Sequence, residues 1–340
     1  MTDEYGLIAD IGGTNARFAL APRVSMQGRV LDLSERDLVA QETLNGKDYP
    51  HIGDAIEAYL DKVSGQWGRP QAGCLAIACP TDRDLIRMTN HTWQFSVREL
   101  QSALGFRQLR FINDYHALAN SIPYLGEAGA VQVGPGESAP GQPMAVTGPG
   151  TGLGLAGLAF SDSGPVTLET EGGHAHFAPT DEIELQVLAF LLREYPRVAW
   201  ERLLSGMGLE NLYRALCHVH GEMAHELSAP EISRAAVSGE DARCVETLQR
   251  FCALLGNYAG DVALAMGARG GVFIAGGIVP RFMDFFRNSD FRARFEDKAR
   301  MREFNEPIPT RVIVSEQPGL LGSAAVLNYG QMGRVEPGRS

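Results

Sequence analysis

The feature that most constrains this chain is an arrangement that occurs twice: a short apolar run, a glycine turn and a second apolar run. The first copy is LIADIGGTNARFAL at residues 7–20, and the second is MAVTGPGTGLGLAGLAF at residues 144–160. Each turn also carries a threonine. Two apolar runs joined by a glycine turn are typical of a β-hairpin. The recurrence therefore predicts a duplicated α/β unit, with the two turns facing each other across a cleft.

The segments around the hairpins alternate between helical and strand-like patterns. Residues 48–63 have helical periodicity, and residues 96–105 start with a serine cap and stop at Gly105, as a helix does. AGCLAIACP at 72–80 predicts a buried strand. A strand at 108–114 leads into a helix that starts with YHALANSIPYL. The second half is predicted to be mostly helical, with strands in RGGVFIAGG and TRVIVSEQ and a closing helix in GLLGSAAVLNYG.

Length and composition set the class of protein. A chain of 340 residues exceeds the roughly 250–300 residues at which one hydrophobic core stops growing, so we expect two interleaved lobes, with the end of the chain returning to the first. The net charge of -11 argues against nucleic acid and anionic membranes as partners. The final residues, GRVEPGRS, are predicted to be disordered.

The missing membrane span and the missing signal peptide predict the cellular location, whereas the cysteines and histidines bear on disulfides and metals. No apolar run approaches the length of a membrane span, and the N-terminal MTDEYG lacks the features of a signal peptide. The five cysteines are scattered among apolar neighbours, which predicts reduced, buried thiols. The close histidine pairs lack the C-x-x-C spacing that would favour a zinc site. We therefore expect a cytoplasmic protein.

The two glycine turns predict phosphate binding, because glycine lets backbone N–H groups approach an anion closely. The candidate donors are Gly12, Gly13 and Thr14 in the first turn and Gly150, Thr151 and Gly152 in the second. Asp10 lies at the end of the strand before the first turn. A carboxylate beside phosphates repels them unless a cation intervenes, so Asp10 is the candidate ligand of Mg²⁺, through water. The alternative is a pair of tight turns that bind nothing.

Nine motifs distributed from about residue 5 to residue 328 resemble the bacterial glucokinases. They are DIGGTNAR, AIACP, MTNHTWQFS, INDYHALA, GPGTGLG, EGGHAHFAP, ERLLSGMGLENLYRA, GGVFIAGGIVPRF and PGLLGSAA. The resemblance implies two ribonuclease H-like α/β lobes around a cleft, the actin-like ATPase fold. Residues 2–124 with 315–332 would form the smaller lobe, and residues 125–314 the larger, helix-rich one. It further implies a homodimer that uses Mg²⁺ and ATP to convert glucose into glucose 6-phosphate for glycolysis.

The same resemblance assigns roles to individual residues. Asp114 corresponds to the catalytic base, and the sugar ligands correspond to Asn113, Asp114, Glu171, His174 and Glu201. The two glycine turns correspond to the phosphate sites, and Gly276 and Gly277 to the adenosine side of the nucleotide site.

Each assignment has a simpler alternative. Asp114 is also placed to cap the helix that follows it, Glu171 to occupy a turn, and Glu201 to serve as an acid in the first turn of a helix. His174 or His176 is a second candidate base, ranked below Asp114, with local packing or bonding favoured for His176. Arg17 is either a phosphate ligand or a surface ion-pair partner.

Three rival functions remain open from the sequence. The first is a kinase for another hexose, such as mannose or fructose, and the second is a sugar-responsive repressor. Only nine residues precede Asp10, which leaves no room there for a DNA-binding helix-turn-helix. The third is an ATPase that acts with a protein partner. The phosphoryl donor is likewise open between ATP, ADP and polyphosphate.

Overall fold

The fold is described from a computed structural model that covers residues 4–24, 31–89, 91–162 and 164–329. The chain divides into two compact units. The first comprises Met1–Gly126, Phe160–Thr167 and Ser315–Ser340, and the second comprises Glu127–Ala159 and Leu168–Val314. The predicted disorder of the C-terminal GRVEPGRS falls outside the described residues.

The first unit is built on a five-stranded sheet in which the first predicted hairpin is present. Its strands are β1 (Tyr5–Ile11), β2 (Asn15–Pro22), β3 (Val39–Asn45), β4 (Ala72–Ile77) and β7 (Gln108–Asn113), and a separate two-stranded ribbon consists of β5 (Leu85–Arg87) and β6 (Gln94–Ser96). The strand order is β3-β2-β1-β4-β7. Strands β1 to β3 pair antiparallel, whereas β1, β4 and β7 run parallel.

The helices of the first unit are α1 (Ile52–Trp67), α2 (Val97–Ala103), α3 (Asp114–Ser121) and α12 (Pro318–Tyr329). Alternate residues of β1, namely Leu7, Ala9 and Ile11, join α1 in one core, in which Phe18 stacks on Tyr59 at 5.2 Å between ring centroids. Helix α12 packs against the opposite face of β1, where the Ser323 hydroxyl donates to the Ala9 carbonyl. Because α12 is enclosed, it is apolar all round rather than amphipathic.

The second predicted hairpin lies within a six-stranded sheet that belongs to the second unit except for Phe160–Thr167, where one of its strands ends and the next begins. The strands of this sheet are β8 (Ala130–Gln132), β9 (Met144–Pro149), β10 (Leu153–Ser161), β11 (Gly164–Thr170), β12 (Gly271–Ile274) and β13 (Thr310–Ile313), in the order β11-β10-β9-β12-β13-β8. Strands β9, β12 and β13 run parallel, and β10 pairs antiparallel with β9. Each sheet therefore combines a hairpin with two further parallel strands, as a duplicated unit would.

The helices that cover this sheet are α4 (Gly126–Gly129), α5 (Glu182–Leu191), α6 (Gly206–Val219), α7 (Ala229–Ser238), α8 (Ala242–Met266), α9 (Met283–Arg287), α10 (Phe291–Glu296) and α11 (Arg302–Asn305). The long apolar stripe of α8 supplies the centre of the core, including Phe251, Leu255 and Tyr258. The helix ends at Gly267, whose φ of 61° is readily accessible to glycine.

The predicted helices and strands are confirmed, with shifts at their ends. The helix predicted to start at YHALANSIPYL begins at Asp114 instead, and it changes to a 3₁₀ turn at Ile122–Tyr124. Pro123 lacks the N–H that a continuing α-helix would need, which explains the change. Among the described residues, no helix is both long and apolar enough to cross a membrane.

Helix α12 approaches α3 closely because of Gly322. A Cβ placed on Gly322 would lie 1.7 Å from the carbonyl oxygen of Ala117 in α3. Since α3 begins at Asp114, this contact helps to place the helix that carries the candidate catalytic carboxylate. The glycine is thus required by packing, although glycine weakens a helix by itself.

We expect Gly322→Ala to lower the free energy of unfolding by about 1–3 kcal/mol, because the new methyl group forces α12 away from α3. The matched control is Gly65→Ala in α1, where nothing lies within 4 Å of the new Cβ, and which should stabilise the chain slightly. Urea denaturation of both variants checks this. Equal midpoints for the two variants would contradict the close packing of α12 on α3.

Candidate active site

Asp10 and Asp114 lie at the same edge of the first sheet, where its parallel strands end. In the parallel register, Asp10 pairs with Ala76 of β4, and Ala76 pairs with Ile112 of β7. Asp114 follows β7 directly, as the first residue of α3. Because the carboxyl ends of parallel strands meet at one edge, the register brings both acids to the same place.

The carboxyl group of Asp114 has a raised proton affinity. Burial is the largest cause and the nearby charge of Asp10 the second, and together they raise the pKa of Asp114 to about 6. The N–H of Tyr115, 3.0 Å from Asp114 Oδ1, opposes the rise. A carboxyl group with this pKa is ionised at neutral pH and is still a competent proton acceptor.

Asn113, not Asp114, caps helix α3. Its backbone is extended, with φ of -64° and ψ of 151°, and its Oδ1 accepts the Tyr115 N–H at 2.9 Å. The alternative in which Asp114 serves as the cap is therefore wrong. The reason is that the strand continues through Asn113, so the first helical residue is Asp114. The Asn113 Nδ2 also donates to the Cys79 carbonyl at 3.4 Å.

Asp10 is enclosed by a cation and by a helix N-terminus. Arg17, its cross-strand neighbour in β2, donates to Asp10 Oδ2 at 3.2 Å. Gly319, in the first turn of α12, is so close that a Cβ there would lie 2.8 Å from Asp10 Cγ. Burial raises the pKa of Asp10, and Arg17 opposes that rise. Arg17 is thus an ion-pair partner, 43 % exposed, in agreement with the second of its two predicted roles.

The first glycine turn closes on itself. The Gly12 N–H donates to the Asn15 carbonyl at 2.9 Å, and the Thr14 carbonyl accepts the Gly46 N–H at 2.8 Å. The expectation that Gly12 offers a spare N–H is therefore wrong, because a hairpin turn this tight uses that donor internally. The N–H groups of Gly13 and Thr14 have no partner within the described ranges, and so this turn offers two donors rather than three.

The second glycine turn is held in a similar way and packs against Gly276. The Gly150 N–H donates to the Gly152 carbonyl at 2.8 Å, so Gly150 likewise offers no spare N–H. Gly276 has a φ of 89°, and a Cβ there would lie 2.3 Å from the Pro149 carbonyl oxygen. The second turn and the Gly276–Gly277 pair therefore form one continuous backbone surface.

Three predicted sugar ligands meet beside this second turn. His174 Nδ1 is 3.9 Å from Glu201 Oε1, and His174 Nε2 is 3.8 Å from Glu171 Oε2. Arg197 supports the group by donating to the His174 carbonyl at 3.2 Å. The side chains of Glu171 and His174 are 76 % and 59 % exposed, so both are available to a ligand. The imidazole of His174 therefore lies between the carboxylates of Glu171 and Glu201.

Glu201 connects that group to the glycine turn. Its Oε2 accepts the N–H of Leu153, the residue after the turn, at 3.0 Å. A Cβ on Gly152 would lie 2.5 Å from the same oxygen, so the absence of a side chain there makes room for the carboxylate. Glu201 does lie in the first turn of a helix, the 3₁₀ turn Trp200–Arg202, but its carboxylate serves the neighbouring loop as well.

Other residues contribute that the sequence analysis missed. Gly206 donates to the Gly150 carbonyl at 2.9 Å, which sets the N-terminus of α6 against the second turn. The Ser205-Gly206 pair could have indicated this helix start in the sequence, since Ser205 caps α6 and its hydroxyl accepts the Gly208 N–H. Gly319 is a second example, and the Pro-Gly at the start of α12 was its only local signal. His176 is exposed, and its backbone bridges to Ala199.

Comparisons with known proteins identify the relatives of this chain. The family model described as Glucokinase matches residues 7–329. The chain is 45% identical over 332 residues to a glucokinase of Colwellia psychrerythraea, covering 96% of this chain and 97% of the relative. The solved glucokinase of an Antarctic psychrotroph has a TM-score of 0.86 and 37% identity, covering 95% of this chain and 98% of that one.

A more distant structural match extends the fold comparison. It is a ROK family glucokinase from Streptomyces griseus in complex with glucose and AMPPNP, with a TM-score of 0.59, 17% identity, and coverage of 95% of this chain and 98% of that one. At this identity the match shows a shared mixed α/β fold.

The raised pKa of Asp114 predicts a pH-dependent effect of Asp114→Asn on stability. A carboxyl group whose pKa is raised on folding stabilises the folded state at low pH and loses that contribution as pH rises through about 6. Above pH 7 we expect the variant to be more stable than the wild type by about 1–3 kcal/mol. Below about pH 3, where the carboxyl is protonated in both the folded and the unfolded chain, the difference should vanish. Urea denaturation at both pH values measures it, and a gain that is as large at pH 3 as at pH 7 would contradict the assigned shift.

Proposed function

Because the chain belongs to the glucokinase family and catalyses the ATP-dependent phosphorylation of D-glucose to glucose 6-phosphate, we propose that Asp114 is its general base. The observation that carries this proposal is the parallel register of β1, β4 and β7, which places Asp114 and Asp10 at one edge of the sheet. Burial and the charge of Asp10 raise the pKa of Asp114 to about 6. Such a group is charged at neutral pH and accepts a proton more readily than an exposed aspartate.

The proposed reaction forms one bond and breaks another in a single displacement. The 6-hydroxyl oxygen of glucose attacks the γ-phosphorus of ATP, and the bond from that phosphorus to the β,γ-bridging oxygen breaks. The hydroxyl proton passes to a carboxylate oxygen of Asp114. Little further covalent work is needed from the protein, since phosphoryl transfer depends mainly on positioning and charge.

We propose that the remaining glucose hydroxyls are bound by Asn113, Glu171, His174 and Glu201. Asn113 uses Oδ1 and one N–H in capping α3 and binding Cys79, which leaves its other N–H and a lone pair for a hydroxyl. The two glutamates accept hydrogen bonds, and His174 between them donates or accepts. This mixed set suits a sugar, because each hydroxyl is both a donor and an acceptor.

The nucleotide is proposed to lie along the two glycine turns. Gly13 and Thr14 offer N–H groups in the first turn, and Thr151 is exposed in the second. Gly276 and Gly277 continue the second surface toward the adenosine. Gly12 and Gly150 contribute shape rather than donors, because their N–H groups close their own turns. Gly152 makes room for the Glu201 carboxylate and keeps its N–H as a candidate donor to the phosphates. The AMPPNP in the complex of the Streptomyces relative supports ATP as the donor.

Mg²⁺ fits the surroundings of Asp10 in the proposed site. The charge of Asp10 raises the pKa of Asp114, and a bound cation would relieve that repulsion. In the described ranges, no three acidic, histidine or cysteine side chains are arranged so that they could hold a metal ion together. Mg²⁺, however, keeps most of its waters and needs only one or two carboxylates. Asp10 would hold it through water, and the ion would neutralise charge on the phosphates.

The finer architecture is also part of the proposal. We propose two ribonuclease H-like lobes, residues 2–124 with 315–332 and residues 125–314. The two compact units of the fold support this division, since the segment after Val314 groups with the N-terminal part of the chain. The homodimer and the cytoplasmic location stay predictions.

The activity is tested by a coupled assay of hexose 6-phosphate formation. Glucose, mannose and fructose are compared as acceptors, and ATP, ADP and polyphosphate as donors. We expect the highest kcat/KM with glucose and ATP. ATP hydrolysis that proceeds at the same rate without sugar would instead favour an ATPase with a protein partner.

We expect Asp114→Asn to lower kcat by about 10²–10⁴-fold, the usual contribution of a general base, with glucose affinity kept within a fewfold. Steady-state kinetics and calorimetric glucose binding measure the two effects separately. Asp61→Asn, at an exposed position of α1, is the matched control and should leave both unchanged. Near-normal turnover in Asp114→Asn would remove Asp114 from its role.

Gly152→Ala should raise the KM for glucose about 5–10-fold, because the new methyl group displaces the Glu201 carboxylate from the Leu153 N–H. The test is a double-mutant cycle with Glu201→Gln. If Gly152 acts through Glu201, the two effects on KM are less than additive. Fully additive effects would mean that Gly152 acts on the nucleotide alone.

A further inference from the structure

Tyr258, on the long helix α8, lies beneath the residues proposed to bind the sugar. It is 3 % exposed, and its ring packs on Trp200 at 5.4 Å between centroids. Trp200 directly precedes Glu201 in the chain. On its other side, the Tyr258 hydroxyl approaches Gly172, where a Cβ would lie 3.2 Å from the hydroxyl oxygen. One side chain thus touches the neighbours of both glutamates.

The hydroxyl of Tyr258 is buried without a hydrogen-bond partner among the residues that the structure describes. Its polar neighbour is Thr147, whose hydroxyl donates to the Gly154 carbonyl at 2.7 Å. The contact between the Thr147 and Tyr258 hydroxyls opposes the rise in the pKa of Tyr258, but it does not have the geometry of a hydrogen bond. Burial raises the pKa of Tyr258, so the hydroxyl keeps its proton at neutral pH. A buried hydroxyl without a partner is costly and uncommon, and phenylalanine would fill the same space without that cost.

The loop above this hydroxyl carries two of the proposed sugar ligands. Its 3₁₀ turn, Gly172–His174, is closed by two backbone bonds, from His174 N–H to the Glu171 carbonyl and from Ala175 N–H to the Gly172 carbonyl. Each of these carbonyls has a second lone pair. The side chains of Glu171 and His174 are exposed to a ligand, whereas Gly173 already packs against the Leu153 carbonyl, so only a small adjustment of the loop is open to it when a sugar binds. The Tyr258 hydroxyl, which lies beside Gly172, is the donor nearest to the loop carbonyls for such an adjustment.

We propose that Tyr258 is a positioning residue for the sugar, whose hydroxyl gains a hydrogen bond to the Glu171–His174 loop when glucose binds. The residue acts through Glu171, His174 and, by way of Trp200, Glu201. This inference rests on the proposed sugar-binding role of those side chains. It explains why a hydroxyl is kept at a position where the free protein gives it no partner within the described chain.

The test is Tyr258→Phe in the full-length enzyme, measured by steady-state kinetics, calorimetric glucose binding and thermal unfolding. We expect KM and Kd for glucose to rise about 3–10-fold, the value of one hydrogen bond to a neutral acceptor. The kcat and the KM for ATP should stay within twofold. The melting temperature of the free enzyme should be unchanged or higher, and the rise caused by a fixed glucose concentration should be smaller than in the wild type.

Tyr213→Phe is the matched control, since Tyr213 is 2 % exposed in α6 of the same unit and its hydroxyl interacts with Cys217 and the His225 backbone, away from the proposed sugar ligands. It should leave the KM for glucose unchanged. An unaltered glucose affinity in Tyr258→Phe would overturn the proposal. A lower melting temperature with equal losses in every kinetic constant would do so too, because that result indicates a purely structural role. If the wild type fails to phosphorylate glucose, the proposed function is overturned together with the role of Tyr258. If the wild type is active and only the Tyr258→Phe effect is missing, the proposed function stands and the role of Tyr258 alone is overturned.

Discussion

The parallel register of β1, β4 and β7 is the constraint on which the site depends. Alternate residues of β1 point to opposite faces, so Leu7, Ala9 and Ile11 enter the core with α1 while Asp10 faces α12. A slip of one residue would turn the carboxylate into the core formed with α1 and move Leu7, Ala9 and Ile11 to the face covered by α12. The register of the strand therefore determines on which face the acid lies, and β7 places Asp114 at the same edge.

That placement has an electrostatic cost. Burial raises the proton affinity of both carboxylates, the charge of Asp10 adds to the rise at Asp114, and Arg17 offsets the effect at Asp10. The folded chain gives up stability at neutral pH to keep Asp114 in this state. The same features that destabilise the free protein make the carboxylate a better base and favour a cation beside it. Stability and the proposed chemistry thus oppose each other at this edge.

Glycines contribute to the site mainly because they lack a side chain. Gly148, Gly276 and Gly322 each face a backbone carbonyl at a distance that no Cβ could occupy, whereas Gly152 makes room for the carboxylate of Glu201. These positions allow strands, helices and loops to approach within hydrogen-bonding distance. In the second unit, this close packing joins the glycine turn, Glu201 and His174 into one connected group.

By itself the sequence determined the elements and the residue types of the site. Both hairpins, the buried strands, the helices with their glycine ends, and the acids following the strands are local patterns, because side-chain periodicity and turn chemistry act over a few residues. The family motifs supplied the roles.

Only the tertiary structure decided which atoms meet. It made Asn113 the cap in place of Asp114, used the N–H groups of Gly12 and Gly150 inside their own turns, and brought Glu201 to Leu153, 48 residues away in the chain. It also left the Tyr258 hydroxyl unpaired within the described chain. These outcomes depend on how distant segments pack and on which polar groups that packing satisfies, and no local pattern in the sequence encodes either.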